Sequence, residues 1–435
     1  MLVAGLMFPG LFALVLAGIP IAFSLAIVAA GAGWFAFGPY IFNQLYGSFY
    51  SAATNFILSA IPMFILMGAV LERSGIAERL FKTMQLWLGR LPGGLAVATI
   101  AMGAVFAAAA GVVGAVEVMI GMMAIPAMQK YRYDNSLVAG TICAGGSLGT
   151  MIPPSVIAVM YASLAQLSVG EVLAGMVFPG LIMIALFIGY LLIHGMVRPP
   201  EKIEDDEPVM PLGEKLRITF STLLPVVALI VAVLGSLLAG IASPTEAASV
   251  GAIGALILCI AYGRFNLRVL RESLAITVRI SAMILLIVAA GTMFMGVFAA
   301  NGGGMLIRSF ITSSGLGTTG MIVFFLVIVF VLGFVLDWTA NVLICVPLFM
   351  PFIRSAGIDP IWFATMVIIV IQTGYLTPPM ASSIFYLKSI APPDMTYGHM
   401  CRGVVPFIIL QLLTLIMVAA FPFTATWLPS KIVGF

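Results

Sequence analysis

Two carboxylates lie inside apolar stretches of this 435-residue chain, and each sits at a turn. Glu117 follows the run Ala110-Gly111-Val112-Val113-Gly114-Ala115-Val116, and Asp337 opens the run Asp337-Trp338-Thr339-Ala340-Asn341. An acid at membrane depth is costly, and it marks an ion or substrate path or a paired structural site. The local alternative for Asp337 is capping of the helix that follows, and the two roles are compatible. For Glu117 the alternative is a hydrogen bond to the rest of the fold. Two further motifs interrupt helices: Gly145-Gly146-Ser147-Leu148-Gly149-Thr150-Met151-Ile152-Pro153-Pro154-Ser155 and Gln372-Thr373-Gly374-Tyr375-Leu376-Thr377-Pro378-Pro379-Met380. A double proline removes two backbone donors, so carbonyl oxygens are freed. Unwound carbonyls at membrane depth suit a hard cation such as Na⁺, and helix N-termini at the turns suit an anion. No Lys or Arg lies deep in an apolar stretch, so an anion would be met by helix ends and polar side chains. The residues set to meet it are Ser147, Ser155, Glu117, Asp337, Thr339 and Asn341.

Other polar positions read as structure. Ser243-Pro244-Thr245-Glu246 has the spacing of a capping box. His194 and His399 stand at span ends with no partner motif, and no nucleotide-binding P-loop is present. The four cysteines, Cys143, Cys259, Cys345 and Cys401, form no CxxC and read as small buried hydrophobes. No metal site other than one for Na⁺ and no catalytic group is called for.

The elements that must carry these residues are membrane helices. Hydrophobic residues make up 62% and charged residues 8% of the chain. Mean hydropathy is +1.20. So few charges cannot cover a water-exposed surface, which excludes a soluble enzyme, a nucleic-acid binder and a disordered scaffold. The net charge of +3 carries no polyanion argument. The apolar N-terminus has no basic start, so no cleavable signal peptide of the usual form is read there. Spans are predicted over 2–16, 19–37, 51–71, 173–197, 218–239, 245–262, 281–300 and 404–427. The segments 93–130 and 317–354 read as re-entrant hairpins, and 135–168 and 360–390 as helices broken at Pro-Pro. Ala77–Arg90 and Phe265–Arg279 mix apolar and basic residues at helical spacing and read as interfacial helices.

The chain repeats at an offset of 225. Pro126, Asp134, Ala139, Gly149, Pro153, Pro154 and Tyr161 recur as Pro351, Asp359, Ala364, Gly374, Pro378, Pro379 and Tyr386, and Pro20 recurs as Pro244 at an offset of 224. The matches fall mostly on Pro, Gly and Asp, which punctuate a chain, and not on interchangeable aliphatics. Residues 1–197 form one repeat and 218–435 the other, joined by a polar cytoplasmic linker at 198–217. With two hairpins, ten spans place sixteen Lys and Arg on one side and only Arg308, Arg354 and Lys431 on the other. The basic side is the cytoplasm. This threading inverts the second repeat relative to the first. The fold class is therefore an all-α polytopic membrane protein of about ten spans and two hairpins in inverted repeats, the pattern of a secondary transporter with its site at the repeat interface.

These residues resemble a known family over nearly the full length. The segments IPMFILMGAVLERSGIAERL (61–80), GSLGTMIPPS (146–155), SPTEAA (243–248), the Asp337 turn, GYLTPP (374–379) and WLP (427–429) are similar to the large membrane subunit (DctM-like) of TRAP (tripartite ATP-independent periplasmic) transporters. The resemblance implies an elevator-type fold and Na⁺-coupled import of a small organic acid across the bacterial inner membrane. It implies delivery by a periplasmic substrate-binding protein and pairing with a small four-helix membrane subunit, not fused here. By motif, one Na⁺ site falls on Gly333, Gly374, Thr377 and Met380, and the other near Gly149, Ile152 and Pro154. Many members carry serines in the first hairpin turn where this chain has Ala110 and Val112, so backbone oxygens or Glu117 would serve there. The segment 385–407 is closest to members handling small monoanions such as keto, hydroxy or aromatic acids, or a small sulfonate. The competing readings are a stand-alone Na⁺/anion symporter of the same repeat type, a membrane-embedded enzyme and a channel.

Overall fold

A computed structural model describes residues 2–89, 91–110, 113–199, 211–315, 317–379 and 381–431. The first repeat contributes α1 (Leu2–Leu16), α2 (Ile21–Phe37), α3 (Ile41–Ala53), α4 (Ala60–Arg73), α5 (Ile76–Leu88), α6 (Gly94–Ala110), α7 (Val113–Lys130), α8 (Asn135–Ser147), α9 (Val156–Ala165) and α10 (Val169–Val197). The second contributes α11 (Leu212–Leu238), α12 (Pro244–Ala261), α13 (Leu267–Ala300), α14 (Gly303–Ser313), α15 (Thr318–Leu332), α16 (Trp338–Ser355), α17 (Pro360–Leu376), α18 (Ser382–Lys388), α19 (Tyr397–Ala420) and α20 (Phe423–Thr426). No strand occurs among the described residues. Among the described residues, eight helical stretches are long and apolar enough to cross a membrane, one of them running from α2 through α3.

Helix starts follow local chemistry. Asp134 accepts hydrogen bonds from the Ser136 and Leu137 N–H groups, and its repeat mate Asp359 accepts from Ile361 and Trp362. These caps satisfy donors that would otherwise be orphaned. Ser243 and Glu246 form the capping box read from their spacing. Thr396 and His399 form a second one, which gives His399 a structural partner.

The helices pack in two groups. In one, α4 lies on α12 and α13, α2 lies on α13, and α11 lies on α12. In the other, α8 is flanked by α6, α7 and α19, while α17 is flanked by α10, α15 and α19. The segments of α8 and α17 nearest the breaks are buried on every side, as a helix that is apolar all round should be. Close crossings use glycine. A Cβ on Gly140 of α8 would run into the Gly403 carbonyl of α19, and one on Gly103 of α6 would lie 2.7 Å from the Gly145 carbonyl of α8. Small residues let helix backbones approach where lipid removes any hydrophobic gain between helices.

Shifting the first repeat by 225 places α7 on α16, α8 on α17 and α9 on α18. The hairpin arms α6 and α7 pack together, as do α15 and α16. Each hairpin then crosses to the other repeat: α7 packs on α18, and α16 packs on α9. Both Pro-Pro bonds at the breaks, Pro153–Pro154 and Pro378–Pro379, are cis.

The structure departs from the sequence reading in three places. Phe265–Arg279 and 281–300 are not separate elements; they merge into the 34-residue α13. The predicted span 51–71 is broken at Thr54–Asn55, where the Asn55 side chain accepts from the Ile57 N–H at 3.0 Å and donates to Ser163 of α9 at 2.9 Å. The linker 198–217 ends early, because α11 starts at Leu212. Its centre, 200–210, lies outside the described residues, as do Arg90 and Met380.

Candidate functional site

The second broken helix and the second hairpin turn meet backbone to backbone. A Cβ on Gly374 would sit 3.8 Å from the Gly333 Cα, an ordinary contact. Crowding by protein atoms therefore does not demand glycine at 374, and an added methyl group would take up space beside the turn. Thr377 ends α17. Its hydroxyl donates to the Thr373 carbonyl at 2.8 Å, and its N–H turns to the Gly374 carbonyl at 3.3 Å. Pro379 has no N–H to offer the Tyr375 carbonyl four residues back in the chain.

Asp337 caps α16, accepting from the Thr339 N–H at 3.1 Å through one oxygen. Its other oxygen, Oδ1, is buried with no hydrogen-bond partner, and so is the Thr339 hydroxyl. Asn341 is already engaged. Its Nδ2 donates to the Val329 carbonyl at 2.8 Å, and its Oδ1 accepts from the Cys345 thiol at 3.2 Å. That amide ties the two arms of the second hairpin together.

Glu117 of α7 is fully buried, and neither carboxyl oxygen has a hydrogen-bond partner. Its Cγ occupies the space a Cβ on Gly146 of α8 would need, so glycine there makes room for the acid. The Ser383 hydroxyl of α18 faces it. Tyr386 of α18 covers Gly114 in the first hairpin and lies within electrostatic reach of both Glu117 and Asp337, as does Tyr375 of α17. The two hairpin acids thus share one neighbourhood with two tyrosines and, among the described residues, no basic side chain that bears on Glu117.

Ser147 and Gln372 are repeat mates, 225 apart, and they touch: Gln372 Nε2 donates to the Ser147 Oγ at 3.4 Å. Equivalent positions of the two halves of the chain are thus in contact. The Gln372 Oε1 is buried and unpaired, whereas the Ser147 hydroxyl donates to the Ala144 carbonyl at 2.9 Å. At the first break the polar groups satisfy one another. Thr150 Oγ1 donates to the Ser147 carbonyl, Ser155 Oγ donates to the Thr150 carbonyl, and the Ile152 N–H returns to Leu148. Gly149 and Pro154 are buried beside them, with the turn at 148–150 against α6 and α7. The side chains of Ala110 and Val112 lie outside what is described.

Four residues near this site are not among the site residues read from the sequence: Gln372 and Tyr375, which lie within the second broken-helix motif, and Ser383 and Tyr386, which lie just beyond it. The offset of 225 from Ser147 is the signal that singles out Gln372. Tyr386 is visible in sequence only as the mate of Tyr161, whose hydroxyl meets the Met350 sulfur of the second hairpin at 3.7 Å.

The chain has relatives throughout its length. Residues 8–424 match the profile described as the tripartite ATP-independent periplasmic transporter, DctM component. It is 30% identical to the sialic acid TRAP transporter large permease protein SiaM of Vibrio cholerae, covering 98% of each chain. It is 29% identical to the C4-dicarboxylate TRAP transporter large permease protein DctM of Pseudomonas aeruginosa, covering 91% of each. Its fold is similar to that of the YdaH transporter of Alcanivorax borkumensis, with a TM-score of 0.66 at 16% identity over 96% of this chain and all of the other. With the profile spanning both hairpins and both broken helices, this multi-pass membrane protein belongs to the family of TRAP transporter large permease subunits.

Proposed function

We propose that this subunit imports a small organic anion, a carboxylate or sulfonate, across the inner membrane together with the downhill entry of Na⁺. The anion arrives from a periplasmic binding protein, and a small four-helix subunit pairs with the α1–α4 and α11–α13 group. The group α6–α10 with α15–α20 moves against that scaffold as an elevator, carrying the hairpin turns and broken helices together.

One observation carries the reading. Six buried oxygens around the turns and breaks meet no side chain outside their own set: both on Glu117, which Ser383 Oγ faces, Asp337 Oδ1, which Thr339 Oγ1 faces, and Gln372 Oε1. Leaving one buried polar group unmet costs about 1–3 kcal/mol, so a cluster of them calls for a ligand. Four of the six belong to carboxylate or amide oxygens, which only accept, and a hard cation answers such a set. Gly333, Gly374 and Thr377 would hold one Na⁺ near Asp337, and Gly149, Ile152, Pro154 and Glu117 would bound a second. With Na⁺ bound, the acids no longer repel an anion at the neighbouring Thr339, Ser147 and Gln372. Thermodynamic coupling follows, because each ligand favours the other's binding.

The test is uptake into proteoliposomes holding this chain and its small subunit, with labelled substrate loaded on the cognate binding protein. Uptake should require an inward Na⁺ gradient and vanish when K⁺ replaces Na⁺. Equal uptake in K⁺ would overturn Na⁺ coupling.

A further inference from the structure

The continuous α13 presents a surface that site chemistry does not use. At 1.5 Å per residue its 34 residues run about 51 Å, against a hydrocarbon core of about 30 Å. The stretch from Arg279 to Ala300 alone covers about 32 Å. The remaining turns, Leu267–Arg279, extend beyond it on the basic side of the molecule. In this extension one arc of the helix is buried, through Ser273 and Thr277. The arc next to it exposes Leu267 (82%), Leu274 (43%) and Val278 (66%). The next arc, about 80° wide at 100° per residue, carries Arg268, Arg271 and Arg279, all exposed.

None of these three arginines forms an ion pair among the described residues. The acid beside them, Glu272, turns away to Arg73 at 3.3 Å. The extension therefore offers three uncompensated cations flanked by an exposed aliphatic strip. Standing upright in water, it would leave Leu267 and Val278 wet. Where the helix leaves the hydrocarbon at headgroup level, the aliphatic strip faces the acyl boundary while the guanidinium groups meet headgroup phosphates. Guanidinium is a planar fork of donors suited to phosphate oxygens, and anionic lipids add long-range attraction.

We propose that Arg268, Arg271 and Arg279 with Leu267, Leu274 and Val278 form a binding site for anionic phospholipid headgroups. The site fixes the α13 end of the scaffold at the membrane surface. It lies outside the transport site and needs neither Na⁺ nor substrate.

The test uses the complex of this chain with its small subunit, reconstituted into vesicles of phosphatidylcholine containing phosphatidylglycerol and then extracted in mild detergent. The ratio of phosphatidylglycerol to phosphatidylcholine that stays bound is measured by mass spectrometry. The wild-type ratio should exceed that of the vesicles and should fall after a high-salt wash, as screening requires. The triple variant R268Q/R271Q/R279Q should lose the enrichment several-fold, and R268K/R271K/R279K should keep most of it, with small-subunit content unchanged in both. A wild-type ratio equal to that of the vesicles overturns the proposal even if no variant inserts. So does a Gln variant that retains the enrichment. Loss of the small subunit with the lipid ratio intact assigns the face to that protein instead.

Discussion

Replacing Thr377 by valine separates an ion ligand from a helix brace. The Thr377 N–H is drawn to the Gly374 carbonyl at 3.3 Å, so the Thr373 carbonyl depends on the Thr377 hydroxyl at 2.8 Å. The hydroxyl proton is spent on that bond, and its oxygen lone pairs are left for a cation beside Gly333 and Gly374. Valine keeps the shape of the side chain and removes both functions. Loss of the brace leaves a carbonyl unmet, at a cost of about 1–3 kcal/mol that appears in unfolding with or without Na⁺. Loss of a Na⁺ ligand of similar worth weakens Na⁺ affinity by about 5- to 150-fold, at a factor of ten per 1.4 kcal/mol. Thr377→Ser keeps the oxygen and should stay within a few-fold of wild type in both respects. The assay is the Na⁺ concentration giving half-maximal uptake at saturating substrate-loaded binding protein, paired with thermal unfolding in Na⁺ and in K⁺. An unchanged Na⁺ requirement in Thr377→Val with transport intact refutes the ligand role and leaves only the brace. An equal shift in Thr377→Ser refutes the assignment to the oxygen.

Asp337→Asn keeps the N-cap, since Asn and Asp cap equally well, so the unfolding temperature should hold while Na⁺-driven uptake collapses; wild-type uptake would reduce Asp337 to a cap. Asp337→Ala should also lose about 0.5–2 kcal/mol of stability, measured by denaturant or heat. Gly146→Ala forces a methyl group into the space of the Glu117 side chain and should destabilise the protein by about 1–3 kcal/mol. The double variant Gly146→Ala, Glu117→Ala should recover most of that loss, and simple additivity in the cycle would show that the two sites do not clash. In a background without native thiols, Glu204→Cys in the linker should resist an impermeant thiol reagent in whole cells, and labelling there would reverse the orientation drawn from the Lys and Arg bias.

Much of this protein is written in local chemistry. Its apolar length and scarcity of charge dictate membrane helices, because no other arrangement satisfies so much backbone away from water. Asp134, Asp359 and the Ser243–Glu246 pair start helices through contacts two or three residues away, so spacing alone reveals them. The repeat is legible for the same reason: Pro and Gly at matching positions impose the same breaks wherever they occur. The boundary of α13 was not legible. Nothing between Arg279 and Ser281 breaks a helix, and the change from amphipathic to apolar composition marks where the surroundings change, not where the backbone stops. The break at Thr54–Asn55 likewise depends on Ser163, 108 residues away. The site is a tertiary product throughout. Asn341 reads as a free polar group until its amide is seen joining Val329 to Cys345. Gln372 gains its place only because the two halves of the chain pack so as to set it on Ser147. Glu117 and Asp337 come into one electrostatic neighbourhood only because each hairpin packs on the broken helix of the other repeat, a pairing across more than 170 residues that no short-range pattern encodes.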